Sequence, residues 1–121
     1  MISFTVEGKP CSVNAAYRVV RLGNRSGLAK SPEARVYQRR VALAARRAMR
    51  GREMLDGDLQ LTLVCYWPRR NADSDGPTKL TKDALQGIVY LNDRIVVEDR
   101  SRRAHDPLRP RVEIEVRAWT E

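Results

Sequence analysis

The chain has 121 residues, 42% of them hydrophobic and 31% charged, which excludes a disordered chain and predicts a single globular domain over residues 1–121. Its net charge is +8, and such an excess of Lys and Arg favours a polyanionic partner, above all nucleic acid. No apolar stretch approaches the roughly 18 residues that a membrane span needs, and the N-terminus lacks a signal-peptide pattern, so we expect a cytoplasmic protein.

The first half of the chain predicts a strand, a long loop and a helix. Ile2, Phe4 and Val6 alternate with polar residues, as in a half-buried strand. Residues 8–30 mix Gly, Pro and Asn with basic residues and are predicted to be a long loop. Ser31-Pro32 is a helix start, and Gly51 is a helix stop. The helix between them has an apolar face of Tyr37, Val41, Ala44, Ala45 and Ala48.

The second half predicts two strands that flank a short helix, followed by a final strand. Strict alternation over residues 59–67 makes the clearest strand of the sequence, and Pro68 ends it. Residues 77–86 predict a second helix, 95–99 a strand, 100–111 a loop and 112–118 the last strand. This order predicts an α+β fold with one mixed or antiparallel sheet and two helices packed on one face. The opposite face of the sheet would then meet water or a partner subunit.

The positive charge is concentrated in the N-terminal half. Residues 1–52 contain 12 Lys and Arg but 2 acidic residues, whereas residues 53–121 contain 11 and 13. Arg35, Arg39, Arg46 and Arg50 form a stripe along the first predicted helix. This stripe is either a solvated face or a contact surface for DNA, and the spacing does not choose between them.

One group of residues in the second half carries chemistry. Asp73 and Asp75 stand at the junction between a strand and a helix, Lys79 follows on that helix, and Asp93 lies in the next turn. Three carboxylates without His or Cys make an oxygen-only site, which suits Mg²⁺ or Mn²⁺ rather than Zn²⁺. A metal held there against a phosphodiester would polarise the phosphoryl oxygen and activate a water, while Lys79 stabilised the growing charge.

The same residues also have purely structural explanations. Asp75 is placed to cap the second helix, and its spacing to Lys79 is that of an ordinary helical ion pair. Asp73 and Asp93 are common turn residues. Spacing alone therefore leaves both a metal site and a set of capping and turn residues open.

Residues 73–96 resemble the RusA family of Holliday junction resolvases. The resemblance rests on Asp73-x-Asp75, Lys79, the segment Asp83-Ala84-Leu85 and the turn Leu91-Asn92-Asp93, in matching order and spacing. Upstream, Asn14 with Tyr17-Arg18 resembles the family's Asn-rich N-terminal loop. The chain departs from the family at Gly76-Pro77, where Asn usually follows the second Asp.

The resemblance implies an activity, a cofactor and partners. It implies a homodimer, bacterial or phage-encoded, that resolves four-way DNA junctions by paired, symmetric, Mg²⁺-dependent nicks. Asp73, Asp75 and Asp93 would be the metal ligands and Lys79 the catalytic cation. Further contacts to DNA are expected from Asn14, Arg18, Arg69, Arg70, Arg94, Arg102 and Arg103. The alternative function is a basic DNA-binding protein without catalytic activity, in which the acidic residues only cap helices.

Overall fold

The computed structural model describes residues 1–70 and 76–121, with the exception of the side chains of Val13 and Asn14. The elements in chain order are β1 (Ile2–Glu7), α1 (Val13–Ala16), β2 (Tyr17–Leu22), β3 (Arg25–Lys30), α2 (Pro32–Ala48), β4 (Leu59–Trp67), α3 (Thr78–Leu85), a 3-10 turn (Asp93–Ile95), β5 (Val96–His105) and β6 (Arg111–Ala118). The predicted α+β fold is confirmed.

The main sheet is mixed and has the strand order β1-β6-β4-β5. β6 is antiparallel to both β1 and β4, whereas β5 is parallel to β4. A parallel neighbour needs a crossover connection, and α3 lies within that crossover. Every second residue of β4, beginning at Leu59, is buried in the core. α2 and α3 pack on this face, as the sequence predicted.

The predicted start of α2 is confirmed. The Ser31 side chain accepts a hydrogen bond from Ala34 N (3.1 Å), and Pro32 occupies the first turn, where its missing N–H is not needed. The predicted apolar face is buried through Tyr37, Val41 and Ala45. The helix ends at Ala48, three residues before the glycine that was predicted to stop it.

The prediction of a long loop over residues 8–30 is wrong. This segment contains the short helix α1 and the antiparallel hairpin formed by β2 and β3. The hairpin makes a two-stranded sheet of its own. Its strands show no apolar alternation because both of their faces are largely solvated: Val19 is 70% exposed and Leu28 73% exposed.

The predicted boundary between strand and loop near residue 100 is also wrong. β5 continues to His105, in register with the whole length of β4. It is an edge strand and its middle is exposed, so charged residues are tolerated there and the sequence lacks a strand-like apolar pattern. No helix within residues 1–70 and 76–121 is both long and apolar enough to cross a bilayer.

Candidate functional site

The predicted site residues surround α3 and the segment that precedes it. Asp73 and Asp75 lie outside the described residues, and so does the side chain of Asn14. Lys79 lies in the first turn of α3, and Asp93 begins the 3-10 turn that follows the helix. The geometry of the described part therefore concerns α3, its two ends and the elements that hold it.

Hydrogen bonds from two α2 side chains, Tyr37 and Gln38, fix α3 against α2. The Thr81 hydroxyl donates to Pro77 O (2.7 Å), so the Tyr37 hydroxyl donates to Thr81 Oγ1 at 2.9 Å. Gln38 Nε2 donates to Leu80 O at 2.9 Å. Because Tyr37 and Thr81 are almost fully buried, this contact fixes the rotation of α3 about its own axis and its position along α2.

On its other side α3 is tied to the edge of the main sheet. Lys82 Nζ lies 2.9 Å from Asp99 Oδ2 of β5. Before the helix, the chain passes close over the sheet at Gly76, where a Cβ would stand 3.0 Å from Ser101 Oγ and 3.2 Å from Cys65 Sγ. A glycine therefore fits this position because the backbone needs the space that a side chain would occupy. The departure from the family pattern at Gly76 thus coincides with a close contact.

Lys79 is exposed, and its ammonium group lies 6.0 Å from the centre of the Tyr17 ring. Tyr17 is the first residue of β2, so the hairpin begins beside the amino end of α3. The N-cap of α3 is Pro77, without a side-chain cap. Asp75 stands two positions before this cap in the sequence and lies outside the described residues.

Asp93 is held by its backbone and leaves its carboxylate available. Its amide donates to Gln86 Oε1 (3.0 Å), and the Asn92 side chain accepts from Arg94 N (2.9 Å). The residue is half-buried. Within residues 1–70 and 76–121, its carboxylate makes neither a hydrogen bond nor an ion pair. Such a group is a hard oxygen donor without a competing cation.

A second carboxylate, Asp83, acts electrostatically on the same side chain as Asp93. Burial raises the pKa of the Tyr90 hydroxyl, and the negative charges of Asp93 and Asp83 raise that pKa further. Both carboxylates therefore approach the same phenol, whose hydroxyl donates to Lys82 O (2.8 Å). Asp83 also lies 3.9 Å from Lys30 Nζ at the end of β3. In the sequence, Asp83 belongs to the pattern shared with the RusA family, and that pattern predicts no role for it.

The described part of the chain does not form a complete metal site by itself. Among residues 1–70 and 76–121, no three His, Cys, Asp or Glu side chains are grouped closely enough to hold a metal ion. A site with few protein ligands would nevertheless suit Mg²⁺, which takes one or two carboxylates and keeps waters in its other positions. Asp93 fits this chemistry, and a complete site would need further protein ligands beside it.

The predicted DNA-binding arginines are distributed over several surfaces. Arg69, Arg70 and Arg94 are exposed near the two ends of the α3 region, and Arg18 is exposed on β2. Successive strand residues point to opposite faces, and Arg102 pairs with Val64 while Arg103 pairs with Cys65. Arg103 therefore lies on the helix-covered face of the sheet and Arg102 on the opposite face.

The chain is similar to one known protein family. A family model described as endodeoxyribonuclease RusA matches residues 7–117. The match begins at the last residue of β1 and ends within β6, so it includes every predicted site residue. No curated protein matches the chain significantly.

Proposed function

The chain belongs to the RusA endodeoxyribonuclease family, and we propose from this premise that it resolves four-way DNA junctions by Mg²⁺-dependent hydrolysis of phosphodiester bonds. The observation that carries the proposal is the Asp93 carboxylate, half-buried and without a cationic partner in residues 1–70 and 76–121. A carboxylate in a chain of net charge +8 has many cations available, so a position without one favours a metal ligand.

Asp73, Asp75 and Asp93 are the proposed ligands, with Mn²⁺ as an alternative ion. When bound, the metal supplies Lewis-acid polarisation of the phosphoryl oxygen and a more acidic water. Asp93 contributes from a turn whose backbone is held by Gln86 at the end of α3. Hydrogen bonding of the backbone leaves both carboxylate oxygens of Asp93 for the ion. This arrangement orients the ligand before the substrate arrives, which is how a site avoids reorganisation during the reaction.

Lys79 is the proposed catalytic cation. Its ammonium group stands at the amino end of α3 near Tyr17, and the helix itself is fixed by the Tyr37–Thr81 hydrogen bond. From this position Lys79 would stabilise negative charge that develops on a phosphate oxygen or on the leaving oxygen. Arg69, Arg70 and Arg94, which are exposed around the same helix, would bind the phosphates of the flanking nucleotides.

The remaining parts of the proposal concern the assembly and its setting. Two opposed nicks need two active sites, so we propose a homodimer that binds one junction. Asn14, Arg18, Arg102 and Arg103 are proposed as further DNA contacts, with Arg102 serving a different DNA segment because it lies on the other face of the sheet. A bacterial or phage-infected cell, with cytoplasmic DNA as substrate, is the setting that these proposals imply.

The test is a cleavage assay on a synthetic four-way junction with each strand labelled in turn. We expect paired nicks in two opposed strands with Mg²⁺, no nicks with EDTA, and no cleavage of a linear duplex of the same sequence. The Asp93→Asn variant should lose at least about 100-fold in rate, because polarisation by a bound metal is worth several kcal/mol. Binding measured in EDTA should persist, since the substitution removes a negative charge from the DNA-facing surface.

Asp58→Asn is the matched control, because Asp58 is an exposed aspartate at the far end of β4 from Arg69 and Arg70. It should cleave at the wild-type rate. Asp75→Asn should behave like Asp93→Asn. A wild-type protein that binds the junction but never nicks it with Mg²⁺ or Mn²⁺ would favour the alternative function, a DNA-binding protein without catalytic activity.

A further inference from the structure

A basic groove runs between α2 and α3. It has a volume of about 600 Å³. One wall is formed by Arg35, Arg39 and Arg46 of α2, and the floor contains the small residues Ala42 and Ala84. The small residues leave space in the groove for a narrow polymer chain, and the arginines favour a chain that is negatively charged.

The three wall arginines share one side of α2 and are available for a ligand. All three side chains are exposed, and within the described residues none of these side chains makes a hydrogen bond or an ion pair. Their spacing of four and seven residues keeps them on one stripe. At 1.5 Å per residue the stripe is roughly 16 Å long. A stripe of this length can contact several successive phosphates of one DNA strand.

The acidic residue in this groove does not cancel its positive charge. Asp83 lies at the α3 side of the groove, 3.9 Å from Lys30 Nζ. The charge of Lys30 offsets that of Asp83, which leaves the three arginines as the net charge of the groove. The fourth polar side chain of the wall, Gln38, is already bonded to Leu80 O.

We infer that this groove binds the sugar-phosphate backbone of a duplex arm of the DNA substrate, and this inference rests on the proposed function. α3 connects the groove to the site, because Asp83 lies in the groove and Lys79 stands one turn earlier, roughly 6 Å along the helix. A strand lying in the groove therefore leads toward Lys79. Guanidinium groups form two-pronged contacts with phosphate oxygens, which positions the backbone without reading its sequence.

The experiment measures the salt dependence of binding, not cleavage. A fluorescent four-way junction is titrated with the protein in EDTA between 50 and 200 mM NaCl, and log K is plotted against log [NaCl]. Each lost phosphate contact should reduce the slope by about 0.9. The triple variant Arg35→Ala, Arg39→Ala, Arg46→Ala should therefore lose up to roughly 3 in slope. Alanine is the best helix former, so α2 should remain folded, and circular dichroism checks that it does.

Arg47→Ala is the matched control for each single substitution. Arg47 is an exposed arginine of α2 that lines the depression beside β1 instead of the groove. The single groove variants should each lose slope, while Arg47→Ala should keep the wild-type slope. The triple Lys variant should retain most of the slope because it retains the charge.

The outcomes separate this inference from the proposed function. A wild-type protein that never nicks, with slopes that still fall in the groove variants, refutes the proposed reaction and supports the groove. Normal nicking with unchanged slopes in the triple Ala variant overturns the groove. Equal losses for Arg39→Ala and Arg47→Ala also overturn it, because binding would then follow total charge. A wild-type protein without measurable affinity for DNA overturns it as well and would indicate a different acidic partner.

Discussion

The buried contact between Tyr37 and Thr81 permits a quantitative prediction about how α3 is held. The Thr81 hydroxyl donates to Pro77 O and accepts from the Tyr37 hydroxyl. In Thr81→Val, the Tyr37 hydroxyl loses its acceptor while it remains 1% exposed. A buried donor left without a partner costs about 1–3 kcal/mol. Adding about 1 kcal/mol for the lost bond to Pro77 O, we expect a loss of about 2–4 kcal/mol in the free energy of unfolding.

Tyr37→Phe should be milder. It removes the donor, but the Thr81 hydroxyl keeps its bond to Pro77 O, so no hydrogen is stranded and the loss should be about 1 kcal/mol. In the double variant, Phe and Val meet without an unpaired hydroxyl. Its loss should therefore be smaller than the sum of the two single losses by at least about 1 kcal/mol.

The assay is urea unfolding at 25 °C of the wild type, both single variants and the double variant. The midpoints should shift while the dependence of the free energy on urea stays constant. Strictly additive losses would refute the argument, because they would mean that the two hydroxyls do not depend on each other. Equal losses for Tyr37→Phe and Thr81→Val would refute the assigned direction of donation.

Two further predictions concern groups whose pKa is shifted by burial. Burial raises the pKa of the Cys65 thiol to about 11, although its hydrogen bond with Ser101 opposes the shift. In a Cys11→Ser variant at pH 8, this remaining thiol should react with a disulfide reagent far more slowly in the native protein than in urea. Equal rates would contradict this prediction. Burial also raises the pKa of Tyr37 and Tyr90 above the ordinary value of 10.0, so the folded state retains protons that the unfolded state releases at high pH. The contribution of these two tyrosines to the free energy of unfolding should be complete below pH 10 and should fall as the pH rises above it. Between pH 7 and 11, the urea midpoint should therefore fall less in Tyr37→Phe than in the wild type. Parallel curves would contradict this prediction.

The sequence predicted the parts of the fold in which burial leaves a periodic pattern. β4 alternates strictly because one of its faces is core, and α2 shows its apolar face through Tyr37, Val41 and Ala45. The hairpin of β2 and β3 was missed because backbone pairing holds it while Val19 and Leu28 remain exposed. Hydrophobic periodicity reports burial rather than hydrogen bonding, so a solvated hairpin resembles a loop in the sequence.

The extent of β5 was missed for a related reason. Its exposed middle pairs along one edge only, with β4, and charged residues are common on such edge strands. The basic residues that end at His105 were therefore interpreted as the start of a loop. The parallel pairing itself depends on α3 crossing over the sheet, and the spacing of residues in the sequence does not specify it.

The sequence predicted the residue types of the candidate site better than the contacts between them. The sequence placed Lys79 on one short helix and Asp93 in the turn that follows it, and the structure describes both there. The approach of Asp83 to Lys30 could not be predicted, because it requires the hairpin that the sequence analysis had read as a loop. The groove wall was visible as an arginine stripe, but its opposite side belongs to α3, which is more than thirty residues later in the chain.

The charges of Asp83 and Asp93 both raise the pKa of the Tyr90 hydroxyl, but the two carboxylates have different surroundings. Lys30 lies 3.9 Å from Asp83, so the charge of Asp83 is offset by a residue that also ends β3, and the pair ties the hairpin to α3. In the described part of the chain, Asp93 has no cation and no hydrogen bond to its carboxylate. An acidic group that faces a polyanion without a protein cation is tolerated when a metal ion offsets its charge. Of the two, Asp93 is therefore the proposed metal ligand, whereas Asp83 pairs with Lys30 at the end of the hairpin.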